Sequence, residues 1–189
     1  MLRTSVRMIA RAPAVTRRTL SRNGSSSSSN DAVGLGYTSE VLEGVSRLNL
    51  VREMMAAIDH PARTIPGVSS VTVQPALGDA GMDGALWRRM VVDGETIVEH
   101  IYANPTLGTV RRIALRTDGK EGDLEIVNHL RVKDGALRIE VYQRDQHTLE
   151  REFYSMPLAS ATFTIEATVA LARAKEAQEQ DACFHANKA

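Results

Sequence analysis

Between Leu86 and Arg144 the chain alternates apolar and polar residues in five runs: Leu86–Val92, Glu95–Ala103, Thr109–Arg116, Asp123–Val132 and Ala136–Gln143. Asp93-Gly94, Asp118-Gly119 and Asp134-Gly135 punctuate them. Asp-Gly between β-rich runs suits a type I′ turn, because both central residues need positive φ and these two tolerate it best. The alternation is cleanest where Leu124, Ile126, Asn128, Leu130 and Val132 are followed by Leu137, Ile139 and Val141. The opposite parity carries Glu125, His129, Arg131, Arg138 and Glu140. This pattern predicts an antiparallel meander with one apolar face and one solvated face, and the apolar face needs a cover.

The cover is a helix from about Met156 to Gln180, with Pro157 in its first turn, where the missing N–H is no loss. Leu158, Ile165, Val169 and Ala172 form its apolar stripe, widened by Phe163, Ala167, Ala170 and Leu171; beyond Arg173 it turns charged and should project to solvent. A shorter amphipathic helix is expected over Leu50–Asp59, with Asn49 as its N-cap and Leu50, Val51, Met54, Met55 and Ile58 on its apolar side. His60-Pro61 stops it, Ala62–Ile65 adds one helical turn, and Val68–Val73 is a strand. Pro75 to Gly84 reads as a loop. Over Tyr37–Leu48, Val41, Leu42, Val45 and Leu48 fit helical spacing, but Gly44 interrupts it and a first strand through Val41–Ser46 is the alternative.

The order of these elements, with "VREMMAAIDHPARTIPGVSSVTV" as helix, turn and strand, resembles the helix-grip fold of the SRPBCC (START and pollen-allergen-like) superfamily. "LWRRMVVDGETIVEHIY", "EGDLEIVNHLRVKDGALRIEVY" and "EFYSMPLASATFTIEATVALARA" are most similar to its AtaL-like branch. That branch often has an aromatic in the first helix, where this chain has Met54-Met55. The resemblance favours the strand for Val41–Ser46. It implies an α+β domain over 37–180: a curved antiparallel sheet of about seven strands (β-α-α-β6-α) wrapped around a long C-terminal helix. It also implies a deep cavity between sheet and helix. Members bind lipids, polyketides, sterols or similar apolar molecules, and some catalyse cyclisation or hydration.

The first thirty residues differ in kind. They hold six arginines, no acid and a Ser25–Ser29 run, interleaved with Leu2, Val6, Ile9, Val15 and Leu20. Such sequence fits a mitochondrial transit peptide, so residues 1–30 are expected to direct import to the matrix and be removed. Of 23 basic and 23 acidic residues, 17 basic and 23 acidic then remain, a net charge of −6. A domain with that balance has no global attraction for nucleic acid, although Arg111, Arg112 and Arg116 could form a local patch. No apolar run approaches the roughly 18–20 residues of a transmembrane span. Cys183 is the single cysteine, in a tail from Asp181 to Ala189 expected to be frayed. It excludes a disulfide framework and suits a reducing compartment.

Candidate chemistry is sparse. The five histidines show no metal-ligand spacing, no serine sits in a G-x-S-x-G context and no glycine loop would cradle a phosphate, so neither metal nor cofactor is expected. Asn128 stands at an apolar-parity position, where its buried amide must find backbone, water or a ligand. Glu99 shares parity with Ile97 and Ile101, and facing inward it could act as a general acid or base. The favoured arrangement has His100 inward and Glu99 solvated, paired with a neighbouring-strand arginine. Met90 could line an adaptable pocket, and Trp87 needs a partner for its indole N–H if buried.

A covering helix rich in Ala159, Ser160, Ala161, Ala167, Ala170 and Ala172 leaves space against a curved sheet, and a chain only 4% aromatic has little to fill it. The candidate ligand-binding residues are therefore Trp87, Met90, Glu99, Ile101, Ile126, Asn128, Ile139, Phe163 and Ala167, and the expected partner is a hydrophobic small molecule or lipid. Three functions stay open. Glu99 and Asn128 in one connected pocket would favour a cyclase or hydratase, a purely apolar cavity a carrier or sensor, and a collapsed one an interaction or assembly protein.

Overall fold

The computed structural model of the chain describes residues 32–76 and 85–186. Its elements in order are β1 (Ala32–Gly34), β2 (Tyr37–Thr38), α1 (Arg47–Asp59), a 3-10 turn (Pro61–Arg63), β3 (Val68–Pro75), β4 (Leu86–Val92), β5 (Glu95–Asn104) and β6 (Thr109–Leu115). Then follow β7 (Glu121–Lys133), β8 (Ala136–Asp145), β9 (Arg151–Glu152), β10 (Tyr154–Pro157) and α2 (Leu158–Ala186). The expected transit segment at 1–30 and most of the Pro75–Gly84 loop lie outside the described residues.

One antiparallel sheet runs in the order β2-β8-β7-β6-β5-β4-β3, with β9 beside β8, and β1 pairs separately with β10. The sheet thus has eight strands, and six consecutive ones, from β8 to the edge strand β3, are the predicted meander with the strand before it. Asp93 and Gly94 (φ 50° and 84°) and Asp134 and Gly135 (φ 53° and 76°) make the expected positive-φ turns. Asp118-Gly119 does not. Only Gly119 is at positive φ; the loop closes through backbone bonds from Arg116 N–H to the Lys120 carbonyl and from Gly119 N–H to the Arg116 carbonyl, and the Asp118 carboxylate also accepts the Lys120 N–H at 3.0 Å. At the turn before β3, Gly67 sits at φ 78°, a conformation L side chains rarely adopt, and a Cβ there would also lie 2.2 Å from an Asp93 carboxylate oxygen and displace it.

Val41–Ser46 is not a strand. The pairing with β8 is confined to Tyr37↔Val141 and Thr38↔Glu140. Beyond it the Ser39 N–H still donates to the Ile139 carbonyl at 2.9 Å, but the returning Ile139 N–H is accepted by the Ser39 hydroxyl, at 3.0 Å, in place of a backbone carbonyl. One further bond, from Leu42 N–H to the Leu137 carbonyl, carries the chain off the sheet edge. Helix α1 starts three residues earlier than expected and its cap is Ser46, whose hydroxyl accepts the Asn49 N–H at 3.2 Å. Leu48, the apolar residue of the first turn, is exposed, so the core-facing apolar period begins only at Leu50, which hid this start. Met156 and Pro157 belong to β10, not to the final helix. That helix in turn continues through exposed Asp181–Ala186, where a frayed tail was expected.

Cross-strand partners define two faces. Arg88↔Glu99, Arg112↔Ile126 and Asn128↔Val141 lie on the concave face; Trp87↔His100, Ile113↔Glu125 and Glu125↔Arg144 lie on the convex one. Packed core occupies one end of the concave face, where Leu50, Ile101 and Ala172 have no solvent exposure and Val51, Leu130 and Val169 surround them. The convex face is less solvated than expected. Glu125 is wholly buried between Arg111, at 3.1 Å, and Arg144. Arg111 and Arg151 also lie over the Tyr102 and Tyr142 rings, so long arginine arms shield the sheet while their heads reach water.

Candidate functional site

The other end of the concave face is not filled. A cavity of about 370 Å³ lies between the sheet, the C-terminal turn of α1, residues 64–66 and the first half of α2. Met54, Ile58, Met90, Ile97, Val110, Ile126, Ile139, Val141, Met156 and Ile165 make its walls mainly apolar. The sheet is too broad for one helix to cover, and on this side α2 presents Ser160, Ala161, Thr164 and Thr168, all small.

Five predicted residues line this cavity: Met90, Glu99, Ile126, Asn128 and Ile139. Four do not. Trp87 is on the convex face opposite His100. Ile101 is sealed in the packed core. Phe163 is 49% exposed, and Ala167 is turned away from the wall. The apolar stripe of α2 is centred on Ile165, Val169 and Ala172, but its cavity side is one step round the helix. There Ser160, Thr164 and Thr168 recur every four residues. That hydroxyl-bearing row was the available signal, and apolar scoring passes over it.

Glu99 faces inward and His100 outward, the reverse of the favoured arrangement. The arginine partner was anticipated, but in the interior and not in solvent: Arg88 Nε donates to Glu99 Oε1 at 2.9 Å, and both side chains are almost fully buried. Arg88 Nη1 also donates to the carbonyls of Ala57 and Ile58, at 3.3 and 3.1 Å. A cation thus caps the last turn of α1, where helix carbonyls lack partners. Burial pulls the Arg88 guanidinium below its ordinary pKa; Glu99 acts against this and Arg112 with it. Outward His100 meets Glu121 at 2.8 Å, and the same carboxylate oxygen accepts the Tyr102 hydroxyl.

Three further polar groups open on the cavity. Asn128 has no hydrogen-bond partner for its side chain among the described residues, and it keeps its predicted inward position. Arg112, on β6, has a buried Nε with no partner. Tyr154, on β10, stands beside Arg112; burial raises its phenol pKa and the Arg112 charge opposes the rise. Sequence reasoning grouped Arg112 with Arg111 and Arg116 as a surface patch, but period-2 geometry sends Arg111 out and Arg112 in. Among the described residues no group of three or more His, Cys, Asp or Glu side chains could hold a metal ion. No helix among them is long and apolar enough to cross a membrane.

No protein-family model matches the chain, and no curated protein matches it in sequence. Solved structures do. The di-domain ARO/CYC StfQ from the steffimycin biosynthetic pathway superposes with a TM-score of 0.50 at 10% identity, over 77% of this chain and 53% of that one. The chain therefore spans about half the length of StfQ. The Zhui aromatase/cyclase from Streptomyces sp. R1128 gives 0.43 at 15% identity (72% and 91% covered), and Ara h 8.0201 gives 0.41 at 13% (74% and 95%). The likeness is one of fold: a curved antiparallel sheet gripping a long C-terminal helix, a helix-grip fold.

Proposed function

We propose that the protein binds an apolar small molecule or lipid in the cavity between its sheet and α2, as a carrier or sensor. The observation that carries this is the unfilled 370 Å³ between mainly apolar walls, with an unpartnered Asn128 amide exposed to it. Small-molecule sites have this composition: apolar surface for affinity and a few polar groups for orientation. Asn128 is the orienting group. The aromatase/cyclase and allergen structures that share the fold are consistent with a ligand-holding cavity. Within the superfamily the sequence is most similar to the AtaL-like branch, and the Arg-rich segment at 1–30 supports work in the mitochondrial matrix.

Native mass spectrometry of the purified chain should find a co-purified small molecule. A fluorescent apolar probe should bind the wild type and be excluded by Thr164→Phe, which fills the cavity from α2. Absence of both co-purified ligand and probe binding would end the carrier reading and favour an interaction protein. A mature N-terminus at Met1 in cytosolic fractions would end the matrix assignment.

One observation favours a second reading. Glu99 and Asn128 share the cavity, the arrangement expected of a cyclase or hydratase. Against it, Glu99 Oε1 already accepts from both Arg88 Nε and Nη2. A carboxylate held as a counter-ion is a poor proton shuttle while that pair stands. Conversion of a bound ligand by wild type, but not by Glu99→Gln, would decide for the enzyme.

A further inference from the structure

Charge inside the cavity does not balance. Three ionisable side chains stand together on its sheet wall, Arg88, Glu99 and Arg112, and Glu99 is committed to Arg88. Arg88 is further satisfied by the Ala57 and Ile58 carbonyls. Arg112 is left as the excess cation, with a buried Nε that donates to nothing. The remaining acid on the cavity wall, Asp93, is exposed at the turn between β4 and β5, which puts it at the rim. An unmatched guanidinium with a buried donor carries a desolvation penalty that an anionic partner would offset.

The surroundings of Arg112 supply what an anion would need. Tyr154 stands beside it as a neutral phenol whose oxygen accepts from the Arg112 guanidinium, which leaves its own O–H to donate. Arg112 is directly opposite Ile126 on β7, and Asn128 is two residues further along the same face, adding an amide donor. The Arg88–Glu99 pair stands near this corner already satisfied, and the walls beyond it are mainly apolar. From this we infer that Arg112, with Tyr154 and Asn128, forms a subsite for the carboxylate of a single-chain acidic amphiphile, whose apolar body fills the rest of the cavity. The inference rests on the ligand-binding reading above and specifies the head group. A guanidinium matches a carboxylate with two parallel N–H donors, which a lysine or a neutral side chain cannot reproduce.

The test compares decanoate, decan-1-ol and decyltrimethylammonium on the full chain by isothermal titration calorimetry, with the same three probes on Arg112→Met. For the wild type, decanoate should bind at least about tenfold tighter than decan-1-ol, the equivalent of about 1.4 kcal/mol, and the ammonium probe weakest. In Arg112→Met the preference for decanoate should vanish while decan-1-ol binds as before. Equal binding of decanoate and decan-1-ol to the wild type overturns the carboxylate subsite and leaves the apolar cavity standing. An unchanged preference in Arg112→Met also overturns it, placing the head group elsewhere. Binding of none of the three overturns the ligand-binding reading itself, and the subsite with it. The wild-type comparison needs no variant, so the inference stays testable if Arg112→Met does not fold. Tyr154→Phe, which keeps the ring, should weaken decanoate selectively.

Discussion

Asn49 Nδ2 donates to Glu176 Oε2 at 2.9 Å, and the same carboxylate oxygen accepts the Ser46 backbone N–H at 3.1 Å. The charged half of α2, expected to project into water, is thereby clasped to the start of α1. An anion at a helix N-terminus meets free N–H groups and the positive end of the dipole. Hydrogen bonds from Ser46 and Asn49 hold the Glu176 carboxyl below its ordinary pKa of 4.5. A depressed folded-state pKa stabilises above the unfolded value, and the gain is lost as pH falls through the folded one. Wild type should therefore melt above Glu176→Gln at pH 7, and the gap should close on acidification below about pH 4.5. A gap independent of pH would contradict this.

The buried pair Arg88–Glu99 should behave asymmetrically. Arg88→Met or Glu99→Leu alone strands a buried charge and should cost about 3–5 kcal/mol in urea unfolding. The double variant, apolar on both strands, should recover most of that loss. Additive losses would mean that Arg88 acts mainly through the Ala57 and Ile58 carbonyls.

Core and cavity should separate by mutation. Ile101→Ala, in the packed end, should cost about 2–5 kcal/mol yet leave probe binding intact. Thr164→Phe should do the opposite. Ile165→Asp should unfold the domain, because it forces an unpaired charge between α2 and the sheet; a cooperatively melting, soluble variant would contradict the placement of that helix.

The tyrosines offer a spectroscopic check. Burial and the Glu121 carboxylate push Tyr102 up to about 12, and burial raises Tyr154. A phenol pKa raised in the folded state favours the neutral form, so stability holds below the ordinary value of 10.0 and falls as pH climbs toward about 12. Phenolate absorbance should show a late phase in the wild type that Tyr102→Phe reduces, leaving the Tyr154 contribution.

The meander was legible because alternation and Asp-Gly turns are local signals, and Asn128 stood out as one polar residue in an apolar row. The polar corner of the cavity was not legible, for a reason visible in Arg88-Arg89 and Arg111-Arg112. In a strand each doublet sends one arginine inward and one outward, and only register with the neighbouring strand tells which. Glu99 and His100 pose the same problem, and it is Arg88, eleven residues earlier, that settles it. The cap of α1 was missed because Asn49 suits either role until Glu176, 127 residues later, claims its side chain.

Helix α1 is fastened at both ends by groups remote in sequence, Glu176 at the start and Arg88 at the finish. A short helix normally frays from its ends, exchanging terminal amides long before its centre. With both ends anchored, α1 has no free end from which to open. Its amide hydrogens should exchange at a nearly uniform rate, set by the opening of β4 and α2 together, and Glu176→Gln should restore a gradient that is fastest at Arg47.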